Sequence, residues 1–260
     1  MRGTDVELLA EAADAAGKIA LRYWRRQPQT WDKPGDAGPV TEADIAVNAM
    51  LHSELGRARP DYGWLSEESP DNPARLDQGR CFIIDPIDGT RAFLQGEEAF
   101  AHSLAVVEAG RVVAAVVYLP ARDALYSATE NGGAMLNGQP IRASAKKGAA
   151  GATLLTSRPS LAAEHWKDGR PPPVRREFRA SLAWRLCLVA EGRFDAMISL
   201  RPTWEWDIAA GDLIARQAGA VVTDRRGRDI TYNAPSPLTA GVLAGPEPVW
   251  RDLRSALKDD

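Results

Sequence analysis

The chain has 260 residues, 45% hydrophobic and 26% charged, with a formal net charge of −3. That composition supports a full core and argues against a disordered or low-complexity protein. No stretch reaches membrane-spanning length, two cysteines and three scattered histidines give no zinc spacing, and no nucleic-acid signature is present, so membrane, zinc and nucleic-acid-polymer roles are set aside. A charged N-terminus in place of an apolar leader, with Cys81 and Cys187 among apolar neighbours, predicts a cytoplasmic protein with buried free thiols. The charge is uneven. Residues 1–141 hold 13 Lys+Arg against 21 Asp+Glu, residues 142–201 hold 12 against 5, and residues 202–260 hold 7 against 9. An acidic first half suits metal binding, and a basic middle suits a substrate with more than one negative group, although a charge bias alone also describes a solvated surface.

In chain order, Thr4-Asp5-Val6-Glu7 is a capping-box pattern, and a helix is predicted from there to about Arg25, with Leu9, Ala13, Ala16, Ala20 and Tyr23 near one face. Residues 27–40 are rich in Pro, Gly and Asp and predict a mobile loop carrying Lys33. Thr41-Glu42-Ala43-Asp44 is a second capping box, whose helix turns Val47, Leu51 and Leu55 inward and ends at Gly56. Asp44 falls on the same side as Leu51, and an acid there needs a reason. Trp64-Leu65 predicts a short strand presenting Glu67, with an ordinary solvated Glu67-Glu68 pair as the alternative. Ser103–Glu108, Arg111–Leu119 and Ala124–Ala128 form an antiparallel meander, with turns at 131–133 and 137–138. Residues 143–152 are small and polar and mark a boundary between residues 1–145 and 146–260. Beyond it come a strand at Thr153–Ser157, a loop over Pro159–Arg175, a helix over Ser181–Gly192 containing Arg185, and a strand at Phe194–Leu200. A small-residue helix follows over Ile208–Ala218 with Asp207 as its N-cap, then strands at 220–224 and 240–244 and a closing helix at 247–257.

The chemistry centres on Asp85-Pro86-Ile87-Asp88-Gly89-Thr90. Cys81–Ile84 reads as a buried strand, so the two acids sit where a strand leaves the core. Pro86 stiffens the exit, Gly89 permits a tight turn, and Thr90 can open a helix whose free N–H groups attract an anion. Carboxylates hold hard cations, and the turn holds a phosphate. The motif therefore points to a magnesium-dependent phosphate-ester site.

Four blocks share one order and compatible spacing: Lys33 with Val40-Thr41-x-x-Asp44, Ser66-Glu67-Glu68, Asp85–Thr90, and Trp206-Asp207-Ile208-Ala209-Ala210-Gly211. Together, and over nearly the whole chain, they resemble the inositol monophosphatase superfamily of Mg²⁺-dependent, lithium-sensitive phosphatases. The resemblance implies an α+β / α/β fold, a layered α-β-α-β-α sandwich of two subdomains, in a monomer or homodimer. It implies two to three Mg²⁺ ions. Glu67, Asp85 and the Ile87 carbonyl would hold one, and Asp85, Asp88 and Asp207 a second. Thr90 and Glu67, with Asp44 nearby, would orient and deprotonate the attacking water, while Gly89, Thr90, Lys33 and Asp207 would contact the substrate. The stretches Asp88–Phe93 and Arg201–Asp207 look most like CysQ-type 3′(2′),5′-bisphosphate nucleotidases, with Arg158, Arg185 and Arg201 as candidates for the second phosphate. Inositol 1-phosphate and histidinol phosphate remain alternative substrates. A non-catalytic member that binds metal or phosphate and regulates a partner is the reading from a different class.

Overall fold

A computed structural model describes residues 3–33 and 38–259. The first half runs α1 (Asp5–Tyr23), β1 (Thr30–Asp32), β2 (Pro39–Thr41), α2 (Glu42–Ala58), β3 (Gly63–Ser66), β4 (Arg80–Asp88), α3 (Thr90–Leu94), β5 (Ala101–Glu108), β6 (Arg111–Leu119), β7 (Ala124–Thr129), β8 (Gly133–Leu136) and β9 (Gln139–Pro140). The second half runs β10 (Thr153–Leu155), β11 (Arg175–Glu177), α4 (Leu182–Ala190), β12 (Ala196–Ser199), β13 (Thr203–Trp204), α5 (Glu205–Gln217), β14 (Val221–Thr223), β15 (Leu238–Thr239), β16 (Val242–Gly245) and α6 (Glu247–Ala256).

Strands β3 to β9 make a seven-stranded sheet in sequence order, antiparallel except for the parallel β3–β4 pair. A five-stranded sheet has the order β11-β10-β12-β16-β14. Side-chain alternation along the strands sorts the core into layers. Phe82, Ile84, Leu104, Val106, Val116 and Tyr118 pack on Leu9, Ala13, Val47 and Leu51 of α1 and α2. Their neighbours Cys81, Ile83, Ala105, Ala115 and Val117 point the other way, into α4 and α5. Those two helices also cover Leu155, Met197, Val222 and Ala244 of the five-stranded sheet. That sheet's outer face, with Leu154, Ala196, Ile198 and Leu243, packs on Val249 and Leu253 of α6 and on Trp166. The order is helices, sheet, helices, sheet, helix, which is the expected five-layer sandwich. The middle layer is tight: a Cβ on Gly211 of α5 would lie 2.7 Å from the Leu186 Cβ of α4.

Both capping boxes form. Thr4 N donates to Glu7 Oε2 at 2.8 Å, and Thr41 N donates to Asp44 Oδ2 at 2.8 Å. Several boundaries move. Helix α1 stops at Tyr23, because Trp24 and Arg25 are drawn off to donate to the carbonyls of Glu97 and Gly96, and Arg25 takes a φ of +61°. Helix α2 runs through Gly56 to Ala58, and no neighbour crowds that glycine. The loop expected over 27–40 contains an antiparallel ladder that pairs Trp31 with Val40. Its residues 34–37 lie outside the described residues. The short strands β8, β9, β11, β13 and β15 carried too little periodicity to be read from sequence.

Candidate functional site

Strand β4 is paired on both sides, between β3 and β5, and covered on both faces, so its residues alternate between two helix layers, and Asp85 follows Cys81 and Ile83 toward α4 and α5. The ladder to β5 breaks between Asp85 and Asp88, where Pro86 has no N–H to contribute and one extra residue bulges out. The bulge turns the strand end into a platform: Asp85 Oδ1 accepts from Ile87 N at 3.0 Å, and Gly89 takes φ +98°. Parallel pairing of β3 with β4 sets Ser66 beside Ile84, and Glu67 N then donates to the Ile84 carbonyl, which leaves the Glu67 side chain next to Asp85. Asp207 arrives on the first turn of α5. It is not the N-cap, because the helix begins at Glu205 and Trp204 occupies the cap. Ser103 Oγ of β5 donates to the Trp206 carbonyl at 3.0 Å and ties that helix start to the sheet.

The result is a close set. One carboxylate oxygen from each of Glu67, Asp85 and Asp207 lies within 4.8 Å of the others. Burial, reinforced by neighbouring carboxylates, pushes the pKa values of Asp85 and Asp207 well up. An all-oxygen donor set whose charges repel fits a hard divalent cation such as magnesium.

Asp88 stands beside this set rather than inside it. Its Oδ2 accepts from Ser181 Oγ at 2.6 Å and from Ala183 N at 2.7 Å, the N-terminus of α4. Burial raises its pKa to about 6 against the pull of those bonds and of Arg185. Ser181 was visible in the sequence only as the start of a helix. Its link to an acid 93 residues away has no local signature.

Thr90 Oγ1 lies 3.1 Å from the Ile87 carbonyl oxygen and 3.3 Å from Asp44 Oδ1. Asp44 is buried, with its other oxygen accepting from Thr41 N and Thr41 Oγ1. This answers why an acid faces inward on α2: its carboxylate closes the capping box and meets Thr90. Burial raises its pKa to about 6, with the Thr41 bonds pulling the other way. Lys33 Nζ donates to Glu67 Oε1 at 2.6 Å and to Glu68 Oε1 at 2.5 Å. Burial lowers the pKa of that ammonium, but the two glutamates more than offset it and the net shift is upward. Glu68 is therefore no solvated bystander. Burial lifts its pKa to about 7 despite the bond from Lys33.

Arg185 is buried under the Phe178 ring, 4.6 Å from its centroid, and donates to the Arg179 carbonyl. Burial lowers its pKa to about 10, and the charges of Asp88, Arg201 and Asp207 bear on it. Among the described residues Arg201 is exposed with no side-chain hydrogen bond or ion pair to the acids, whereas Arg185, on the helix whose start anchors Asp88, joins them. Arg158 does not: β10 ends at Leu155, Arg158 starts a 3-10 turn with its side chain exposed, and among the described residues no side-chain hydrogen bond or ion pair connects it to the group. Beneath the bulge, His102 Nδ1 bonds to the Pro86 carbonyl, and burial pushes the ring pKa down to about 4. No sequence signal marked it.

The chain matches known proteins over almost its whole length. The model of the inositol monophosphatase family matches residues 4–256. An inositol-1-monophosphatase of Rhizobium meliloti strain 1021 is 35% identical over 99% of this chain and 97% of its own. A histidinol-phosphatase of Chlorobaculum parvum is 32% identical over 93% of both chains. The solved structure of the extragenic suppressor protein suhB of Bartonella henselae superposes with a TM-score of 0.83 at 31% identity, covering 97% of this chain and 98% of that one. With carboxylates from β3, β4 and α5 gathered at one strand end and a match running almost end to end, this chain belongs to the inositol monophosphatase family, whose members are phosphatases.

Proposed function

We propose that the chain is a magnesium-dependent phosphomonoesterase acting on small phosphoesters, with a 3′(2′),5′-bisphosphate nucleotide as the preferred substrate. The observation that carries the phosphatase site is the set formed by Glu67, Asp85 and Asp207, flanked by Asp88 and by the Thr90–Asp44 pair. Glu67, Asp85 and the Ile87 carbonyl would hold one ion, Asp85, Asp88 and Asp207 would hold a second, and Glu67 would also serve a third. When bound, magnesium supplies the positive charge that acidifies water and shields the phosphate.

The protein's own groups do the rest. Thr90 Oγ1 orients the attacking water, with Glu67 beside it. Asp44, whose pKa of about 6 suits a base near neutral pH, receives the proton passed along Thr90 Oγ1. The N–H groups of Gly89 and Thr90, free at the start of α3, bind the phosphate together with Lys33. Asp88 is fixed by Ser181 and the Ala183 amide, so its remaining oxygen is aimed without reorganisation.

For the substrate, the buried Arg185, on the helix whose start anchors Asp88, favours a second anionic group, with Arg201 as a further candidate from the sequence. Leu200, near the place where an inositol enzyme would carry a sugar-binding acid, is instead buried in the core against the five-stranded sheet. The relatives' names favour inositol 1-phosphate and histidinol phosphate as the other substrates to try. The buried free thiols of Cys81 and Cys187 fit a reducing compartment, and we place the enzyme in the cytoplasm.

The test is phosphate release from 3′-phosphoadenosine 5′-phosphate, inositol 1-phosphate and histidinol phosphate, with and without millimolar magnesium. Magnesium-dependent release is expected, fastest from the nucleotide. Silence on all three would favour a binding or regulatory role.

A further inference from the structure

Asp85 and Asp88 are three residues apart on β4, a spacing that puts the side chains of a regular strand on opposite faces. Both nevertheless face α4 and α5: Asp85 meets Asp207 of α5, and Asp88 bonds to the start of α4. The bulge makes the difference. The ladder pairs Asp85 with Ser103 and Asp88 with Ala101, so Pro86 and Ile87 together face the single residue His102. The extra residue resets the alternation, and Ile87, rather than Asp88, packs with Ile84 against α1 and α2. Side chains take up the polar groups of the bulge. Ile87 N donates to Asp85 Oδ1 at 3.0 Å, the Ile87 carbonyl accepts from Thr90 Oγ1 at 3.1 Å, and the Pro86 carbonyl accepts from His102 Nδ1. The first two bonds involve groups that the metal and the reaction would use; the third comes from outside the site.

We propose that His102 is a positioning residue for the metal site: its Nδ1–H fastens the Pro86 carbonyl and so fixes the bulge that brings both carboxylates to one face. The proposal rests on the phosphatase reading above. His102 is fully buried on the face covered by α1 and α2, in step with Leu104 and beside Tyr118, its partner on β6. That is the opposite face of the sheet from the acids, so the ring touches neither ion nor substrate. A carbonyl can only accept, so the ring proton sits on Nδ1 and Nε2 is an acceptor. Nε2 has no hydrogen-bond partner among the described residues. An apolar side chain of similar size would avoid that unpaired group, so what the imidazole contributes is its Nδ1–H. Without it the buried Pro86 carbonyl loses a donor, and the strand is drawn back toward a regular ladder that carries Asp88 to the far face.

Magnesium titrations by calorimetry on wild type, His102→Leu and His102→Asn test it, beside thermal melts of each in chelator. His102→Leu fills the space and has no donor; its magnesium Kd should rise about tenfold or more. His102→Asn keeps a side-chain N–H near the Nδ1 position and should recover most of that affinity. It also removes buried volume, so in chelator it should melt no higher than His102→Leu. Affinity and stability should therefore rank the two variants in opposite orders, whereas a purely structural role makes the orders agree. If His102→Leu does not fold, His102→Met, flexible and without a donor, takes its place, and failure of both to fold makes the histidine structural and overturns the proposal. A Kd unchanged in His102→Leu, or one that follows melting temperature across the variants, overturns the proposal and leaves the phosphatase reading standing. A wild type that binds no magnesium overturns that reading and the proposal with it.

Discussion

Asp88 uses one carboxylate for two purposes. Oδ2 anchors the N-terminus of α4 through Ser181 and the Ala183 amide, and Oδ1 is the oxygen that the proposed metal site would use. Asn in its place keeps an acceptor for that anchor and removes the charge. Asp88→Asn should therefore lower phosphate release by roughly a hundredfold or more. The fold should survive, because burial already disfavours the charged form of this group. Assays of released phosphate beside thermal melts check both halves. Retained activity would remove Asp88 from the metal site, and collapse of the fold would make its role structural.

Among the elements, the bulge at the end of β4 and the short helix α3 set the geometry of everything else. Gly89 links them with φ +98°, and a Cβ there would lie 2.8 Å from the Ala99 carbonyl oxygen, a backbone atom that cannot swing aside. Gly89→Ala combines left-handed strain with a clash. It should cost at least about 2 kcal/mol in denaturant unfolding and should also lower turnover, because the N–H groups of residues 89 and 90 would move. A variant of wild-type stability would mean that the turn relaxes freely, and that the anion-binding role given to it is wrong. The same element shows why Pro86 sits where it does. An ordinary residue could keep the ladder to β5 intact and carry Asp88 on as one more strand residue, away from the start of α4.

At the scale of the molecule, the acids make the metal-free fold pay for its function. Asp44 and Asp88 have pKa values of about 6, Glu68 about 7, and Asp85 and Asp207 well above the usual carboxylate range, burial being the main cause in each. An acid whose folded pKa exceeds its unfolded one binds its proton more tightly when folded. Its contribution is most favourable below about pH 4 and is lost as pH rises through 6 to 7. Magnesium takes over from the protons, so melting with millimolar magnesium should exceed melting in chelator by about 5 °C or more. The gap should be wider at pH 7.5 than at pH 5.5. An unchanged melt, or a gap that narrows as pH rises, would count against a metal site built from these carboxylates.

The local chemistry was legible in the sequence. The capping boxes at Thr4 and Thr41, the apolar run before Asp85, the proline and glycine around Asp88, and the tryptophan before Asp207 each have a short-range cause, so the layered α/β fold, the acids and the family resemblance could be read from order and spacing. What tertiary structure alone decided is which of those groups meet. The parallel register of β3 on β4 sets Glu67 against Asp85, the packing of α5 under β5 delivers Asp207, and the start of α4 captures Asp88. Lys33 bonding to both glutamates, His102 under Pro86 and Trp204 stacked on Trp206 likewise join residues by contact rather than by pattern. The physical reason is that periodicity and turn chemistry report on a few neighbouring residues, while a site drawn from two sheets and the helices between them is assembled by burial, across chain separations that leave no mark on the sequence.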